Sequence, residues 1–209
     1  RRNVLAVSMV EFFWGLGFPI VLESTFLQLF LKHLGASSFA IGIVPSLLMT
    51  GIACFPVFSS YLSRNVRMKM PLVLFLHLIS AFSILLFGVT LFFTQQSESV
   101  LPLFFISYSV FSICMGLTIP VWLNYLVRIF SESRAVPGLG YMMLAQNIGK
   151  VVSSFFILKI VDTYAFSLQS SAWVFMATGS LFILGSFCFF LTTETSDPHD
   201  PERDTLSFL

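Results

Sequence analysis

The chain has 209 residues, of which 56% are hydrophobic and only 10% are Asp, Glu, Lys or Arg; there are 26 Phe, and the formal net charge is +1. A soluble domain carries about 25% charged residues and cannot hide so much apolar surface, so the chain reads as an integral multi-pass membrane protein. A near-neutral balance without a basic stripe argues against nucleic-acid binding, and three well-separated cysteines (Cys54, Cys114, Cys188) make neither a disulfide framework nor a metal site.

A membrane-spanning helix needs about 20 apolar residues. Six runs meet this, at residues 4–31, 39–61, 71–94, 101–127, 138–161 and 169–192. The first run is long enough to span, so it reads as a helix rather than a secretory signal. The spans form one transmembrane domain over 1–192. Residues 193–209 are polar and acidic (Glu194, Asp197, Asp200, Glu202, Asp204, with Pro198 and Pro201) and read as a solvated cytoplasmic tail or linker.

Six spans put both termini on one side. Arg1, Arg2, Arg64, Arg67, Lys69, Arg128, Arg134 and Arg203 fall on that side, Lys32 and Lys159 on the other, and Lys150 within a span. Positive residues stay cytoplasmic, so both termini are expected inside a plasma or bacterial inner membrane.

In the first span stands Gly15-Leu16-Gly17-Phe18-Pro19-Ile20-Val21-Leu22-Glu23, and in the fourth Gly116-Leu117-Thr118-Ile119-Pro120-Val121-Trp122-Leu123-Asn124. Gly, Leu, Pro and Leu match at a constant offset, and Glu23 aligns with Asn124. The second copy lies three spans after the first, an odd number, so the repeated unit of three helices is inverted in the membrane. Matching Gly/Pro interruptions in inverted repeats point to a transport path, because a broken helix leaves backbone groups that need protein or a wet cavity beside them. Gly15, Pro19, Gly116 and Pro120 are therefore the expected helix-break elements.

Six spans, cytoplasmic termini and a 3+3 inverted repeat resemble the amino-terminal half of the major facilitator superfamily. The connector Ser59-Ser60-Tyr61-Leu62-Ser63-Arg64-Asn65-Val66-Arg67-Met68-Lys69 is a degenerate form of that family's loop between helices 2 and 3. Arg64 and Arg67 fit and Lys69 adds a cation, while Ser59, Ser63 and Val66 stand where the family has Gly, Asp and Gly. The basic connector with Arg134 and Pro137-Gly138 also looks like the family's loop before helix 5. The resemblance implies that helices 1, 2, 4 and 5 line or border a solute path, with helices 3 and 6 facing lipid.

Charges at mid-membrane cost roughly 2.5–3.5 kcal/mol on insertion scales and mark sites by default. Lys150 lies about 18 Å from the cytoplasmic end of its helix, with Gln146, Asn147, Ser153 and Ser154 three or four residues away on or beside one face. Glu11 lies about 12 Å above Asn3, at comparable depth, and a Glu11–Lys150 pair is expected. Glu23 is placed near the outer mouth, and Asn124 at the inner mouth beside Arg128. His77 is expected to be a hydrogen-bonded core histidine, since no second ligand stands at metal spacing. Gly42, Ser46, Thr50 and Cys54, each four apart, form a small-residue packing seam; in the family that helix borders the other half, so the resemblance implies a docking face there.

There is no catalytic constellation: HExxH, GxSxG, P-loop and GxGxxG are all missing. An enzyme is not expected, nor a metal or organic cofactor. The expected function is secondary transport of a small solute by alternating access, with coupling to H+ or Na+. The implied partners are the bilayer, the solute, and either a second six-helix half in cis or a second copy; the missing Met and linker-like tail favour the half in cis. A non-transporting scaffold or receptor, a fused transporter-like domain and a lipid translocator are the alternative readings.

Overall fold

The computed structural model describes residues 1–22, 24–94, 97–130, 132–163 and 167–194. Among these the chain is helical throughout: α1 (Arg2–Val21), α2 (Ser24–His33), α3 (Ser38–Ser63), α4 (Met70–Phe93), α5 (Ser97–Ile129), α6 (Glu132–Thr163) and α7 (Leu168–Phe187), followed by a 3-10 turn at Cys188–Leu191. Six of the helices are long and apolar enough to span a membrane. Helix is the form these runs must take, because hydrocarbon offers their backbone groups no outside partner. Ser37 accepts from the Ala40 amide at the start of α3, and Ser167 and Ser170 form a reciprocal cap on α7.

Two sequence expectations change. The first run is not one helix: α1 stops at Val21, and the chain restarts as α2 at Ser24. Pro19 lies inside α1, near its end, so the helix persists two residues beyond the proline, with Leu22 as its cap. The freed end is met by a neighbour, since the Tyr108 hydroxyl of α5 donates to the Val21 carbonyl at 2.9 Å. The second Gly-Pro element makes no break at all, and α5 runs unbroken through Gly116 and Pro120. A helical proline orphans only the carbonyl four residues before it. In both helices that residue is the matching glycine, and beside Pro120 the α3 residue Ser59 donates its hydroxyl to the Leu117 carbonyl. The fifth span is also longer than expected; α6 starts at Glu132 and carries Pro137 within it.

The glycines mark where helices meet. A Cβ on Gly15 would collide with the Gln146 backbone of α6, and one on Gly149 would lie 2.5 Å from the Phe12 carbonyl oxygen of α1. A Cβ on Gly116 would strike the Gly51 backbone of α3, and one on Gly51 the backbone of Ser112 in α5. Thus α1 lies on α6 as α5 lies on α3, each pair meeting at two glycines. At the centre α4 packs on α7: Gly88 abuts the Met176 amide and Gly179 abuts Leu85. Leu85 and Met176 are separated by the same sequence offset as Gly88 and Gly179, so this contact maps onto itself when the halves are exchanged. The molecule is a six-helix bundle of two three-helix repeats, inverted with respect to each other.

Such close approach replaces the hydrophobic drive that is missing between helices in lipid. Rings fill the remaining space. Trp14 stacks on Phe182 with centroids 4.2 Å apart, and Phe30, Phe87, Phe104 and Phe175 form a second cluster. The outlying helices are the least buried, with 17% of the α3 span and 11% of the α6 span covered by the six-helix unit.

Candidate functional site

The α1–α6 crossing assembles the polar residues. With Gly15 and Gly149 removing two side chains from the contact, the two backbones touch, and residues one turn away come within hydrogen-bonding reach. Glu11, 7% exposed, accepts a hydrogen bond of 2.5 Å from Gln146 Nε2. Lys150, one turn beyond Gln146, lies with its ammonium 5.7 Å from the centroid of the Phe18 ring and attracts the Glu11 carboxylate electrostatically. Ser153 is buried further along α6. A carboxylate, an amide and an ammonium therefore share one side of the crossing.

An ion taken out of water needs compensation from hydrogen bonds and opposite charge. Gln146 supplies the first and Lys150 contributes the second, with the Phe18 π face as an additional neighbour of the cation. The half-exposed Lys150 can still meet an incoming group, whereas Glu11 is reached only through its neighbours.

The other expected path residues are not gathered there. Asn147 is exposed and donates to the Met143 carbonyl of its own helix at 2.9 Å. Asn124 is exposed on α5. Glu23 lies outside the described residues. His77 sits among the rings of Trp14, Trp122 and Phe189, with Nδ1 2.8 Å from the Val73 carbonyl. The stripe Gly42, Ser46, Thr50 and Cys54 is exposed along its whole length. The contact from α3 to α5 runs instead through Gly51 and Ser59 on another face.

A second polar assembly closes the end of the bundle where Asn3 meets Thr193. Arg64 and Arg67 are exposed, but Lys69 is buried and its ammonium donates to the Ser63 carbonyl at 2.5 Å. The carboxylate of Glu194 accepts from the amides of Lys69 and Met70, each at 2.9 Å, and so caps the start of α4. Arg128 lies 3.6 Å from the same carboxylate and donates to the Arg67 carbonyl at 2.6 Å. Asn3 ties the ends together, donating to the carbonyls of Ile129 and Thr193 and accepting from the Thr193 amide, all at 2.9 Å. The sequence places Glu194 in a solvated tail; in the structure it is docked, with its side chain 2% exposed. The sequence signal for this contact is a negative charge two residues beyond the last predicted span, on the side of the basic loop. Residues 195–209 lie outside the described residues.

A family model described as Major Facilitator Superfamily matches residues 4–207. Comparison with curated proteins and with solved structures yields no match.

Proposed function

The chain belongs to the major facilitator superfamily, and from that premise we propose that it is half of a secondary transporter, moving a small solute by alternating access past Glu11, Gln146 and Lys150. The observation that carries the reading is the buried Glu11 carboxylate, held by Gln146 and attracted by Lys150 within an otherwise apolar bundle. Packing alone has no use for such a group, given its insertion cost. In this reading Lys150 meets an anionic or carbonyl group of the solute, and Glu11 takes up a coupling H+ or Na+. Both termini lie in the cytoplasm, as the distribution of Arg and Lys favours. The scarcely covered α3 and α6 and the exposed Gly42–Cys54 stripe favour a second six-helix body on that side, either a half in cis or a second copy.

The test is uptake in proteoliposomes containing the full-length protein, with a solute panel first screened for a rise in Tm. Glu11→Gln and Lys150→Ala each lower uptake at least tenfold while the melting transition persists. Uptake restored by combining Glu11→Ala with Lys150→Ala would make the pair structural. If no solute raises Tm and both single variants are silent, the scaffold reading replaces transport.

A further inference from the structure

The inverted repeat brings two helix crossings into correspondence, and they differ in chemistry. Gly15 of α1 lies against the Gln146 backbone of α6, as Gly116 of α5 lies against the Gly51 backbone of α3. One turn before each glycine stand Glu11 and Ser112, and one turn after each facing residue stand Lys150 and Phe55. Carboxylate, amide and ammonium at the first crossing are thus replaced by hydroxyl, glycine and phenyl ring at the second. The Ser112 hydroxyl donates to the Tyr108 carbonyl of its own helix at 2.7 Å. Phe55 flanks the crossing, since a Cβ on Gly116 would lie 3.1 Å from its own, and its partly exposed ring neighbours that of Phe58 at 6.1 Å. Ile119 takes the place that Phe18 has beside Lys150.

Both crossings lie at one level of the bundle. Asn3 donates to the Ile129 carbonyl; from that bond Gly15 lies about 18 Å along α1 and Gly116 about 20 Å along α5. Helix α6 leaves that end and α3 returns to it, so Lys150 stands one turn beyond the level and Phe55 one turn short of it.

From this asymmetry we infer that the solute is an organic anion with a single acidic group on an apolar body, the acidic group meeting Lys150 and the body lying against Phe55 and Ile119. The inference rests on the transport reading above and names the class of solute for that site. A ring buried among apolar side chains gains tenfold or more in affinity. A hydroxylated body instead sets groups against Phe55 and Ile119 that lose water and gain no partner. A second acidic group finds a ring where the first finds Lys150.

The experiment is calorimetric titration of the full-length protein in nanodiscs, with empty nanodiscs correcting for partition into lipid. The probes are 3-phenylpropionate, acetate, gluconate and 3-phenylpropanamide. The first is expected to bind at least tenfold more tightly than each of the others. Lys150→Ala removes its lead over the neutral amide. Phe55→Ala lowers the ratio of its affinity to that of acetate about tenfold, a ratio that loss of packing alone leaves unmoved. Phe55→Gln carries the same test if Phe55→Ala melts early, and there gluconate gains on 3-phenylpropionate. Acetate, gluconate or the amide binding as tightly as 3-phenylpropionate would overturn the inference, as would an unchanged ratio in the Phe55 variants. Failure of all four probes while another solute raises Tm overturns the inference and leaves transport standing. Failure of every solute, with Glu11→Gln and Lys150→Ala silent, overturns both.

Discussion

Gln146 on α6 donates to the carboxylate of Glu11 on α1 at 2.5 Å, across a crossing where Gly15 and Gly149 bring the two backbones together. The bond depends on the glycines: a side chain at either position forces the helices apart, and the amide can no longer reach the buried carboxylate. Structure and site are thus coupled at one point of the bundle.

Gly149→Ala is accordingly expected to destabilise the protein by about 1–3 kcal/mol, the usual range for overpacking, because the new methyl meets the Phe12 carbonyl rather than a flexible side-chain tip. Gly42→Ala, with nothing within 4 Å, is expected to be neutral or mildly stabilising in the six-helix unit. Thermal unfolding of both variants in one detergent provides the comparison.

Replacing the donor isolates the hydrogen bond from the packing. Gln146→Leu keeps the approximate volume and removes the partner of Glu11, a loss of about 1.5–3 kcal/mol for a hydrogen bond to a charged group. Adding Glu11→Gln to Gln146→Leu recovers part of the loss in a double-mutant cycle, since the carboxylate left without its donor is then gone.

Tyr108→Phe tests how the break between α1 and α2 is held. It deletes the donor to the Val21 carbonyl and little else, so stability falls by about 0.5–1.5 kcal/mol. Amide exchange should rise at the end of α1 and the start of α2, and remain unchanged along α4.

Glu194→Ala leaves the Lys69 and Met70 amides without their shared acceptor and Arg128 without its nearby carboxylate. Loss of a helix cap costs about 0.5–2 kcal/mol, and the effect here sits toward the upper end because two amides are released. Glu194→Gln keeps one acceptor oxygen and is expected to lie between the wild type and Glu194→Ala. Melting temperatures of the three proteins, measured together, check the order.

Much of the architecture was legible because hydrocarbon narrows the choices. Six apolar runs had to be helices, and the Gly15–Pro19 and Gly116–Pro120 copies already indicated a repeat. The meaning of those copies was legible only in part. Proline chemistry predicts two breaks, whereas α1 ends after Val21, past its proline, and α5 is continuous. Ser59 and the close α3 backbone lie beside the Pro120 element, and a neighbouring helix leaves no mark in the local sequence. Gly51, Gly149, Gly88 and Gly179 carry no local signal for the same reason: a glycine that admits a backbone looks in sequence like any other membrane glycine.

What the sequence by itself determined was the solvent, the number of spans, the family resemblance and the few charges too costly to be idle, since each follows from transfer energies summed along the chain. The tertiary structure decided which of those charges meet. Glu11 found Gln146 as its hydrogen-bond donor with Lys150 alongside, while Asn147 and Asn124 were left on the surface and Glu194 was drawn out of the expected tail onto the start of α4. Such pairings depend on helix rotation and crossing points, which are set by glycines on two chain segments at once, and no local pattern records both.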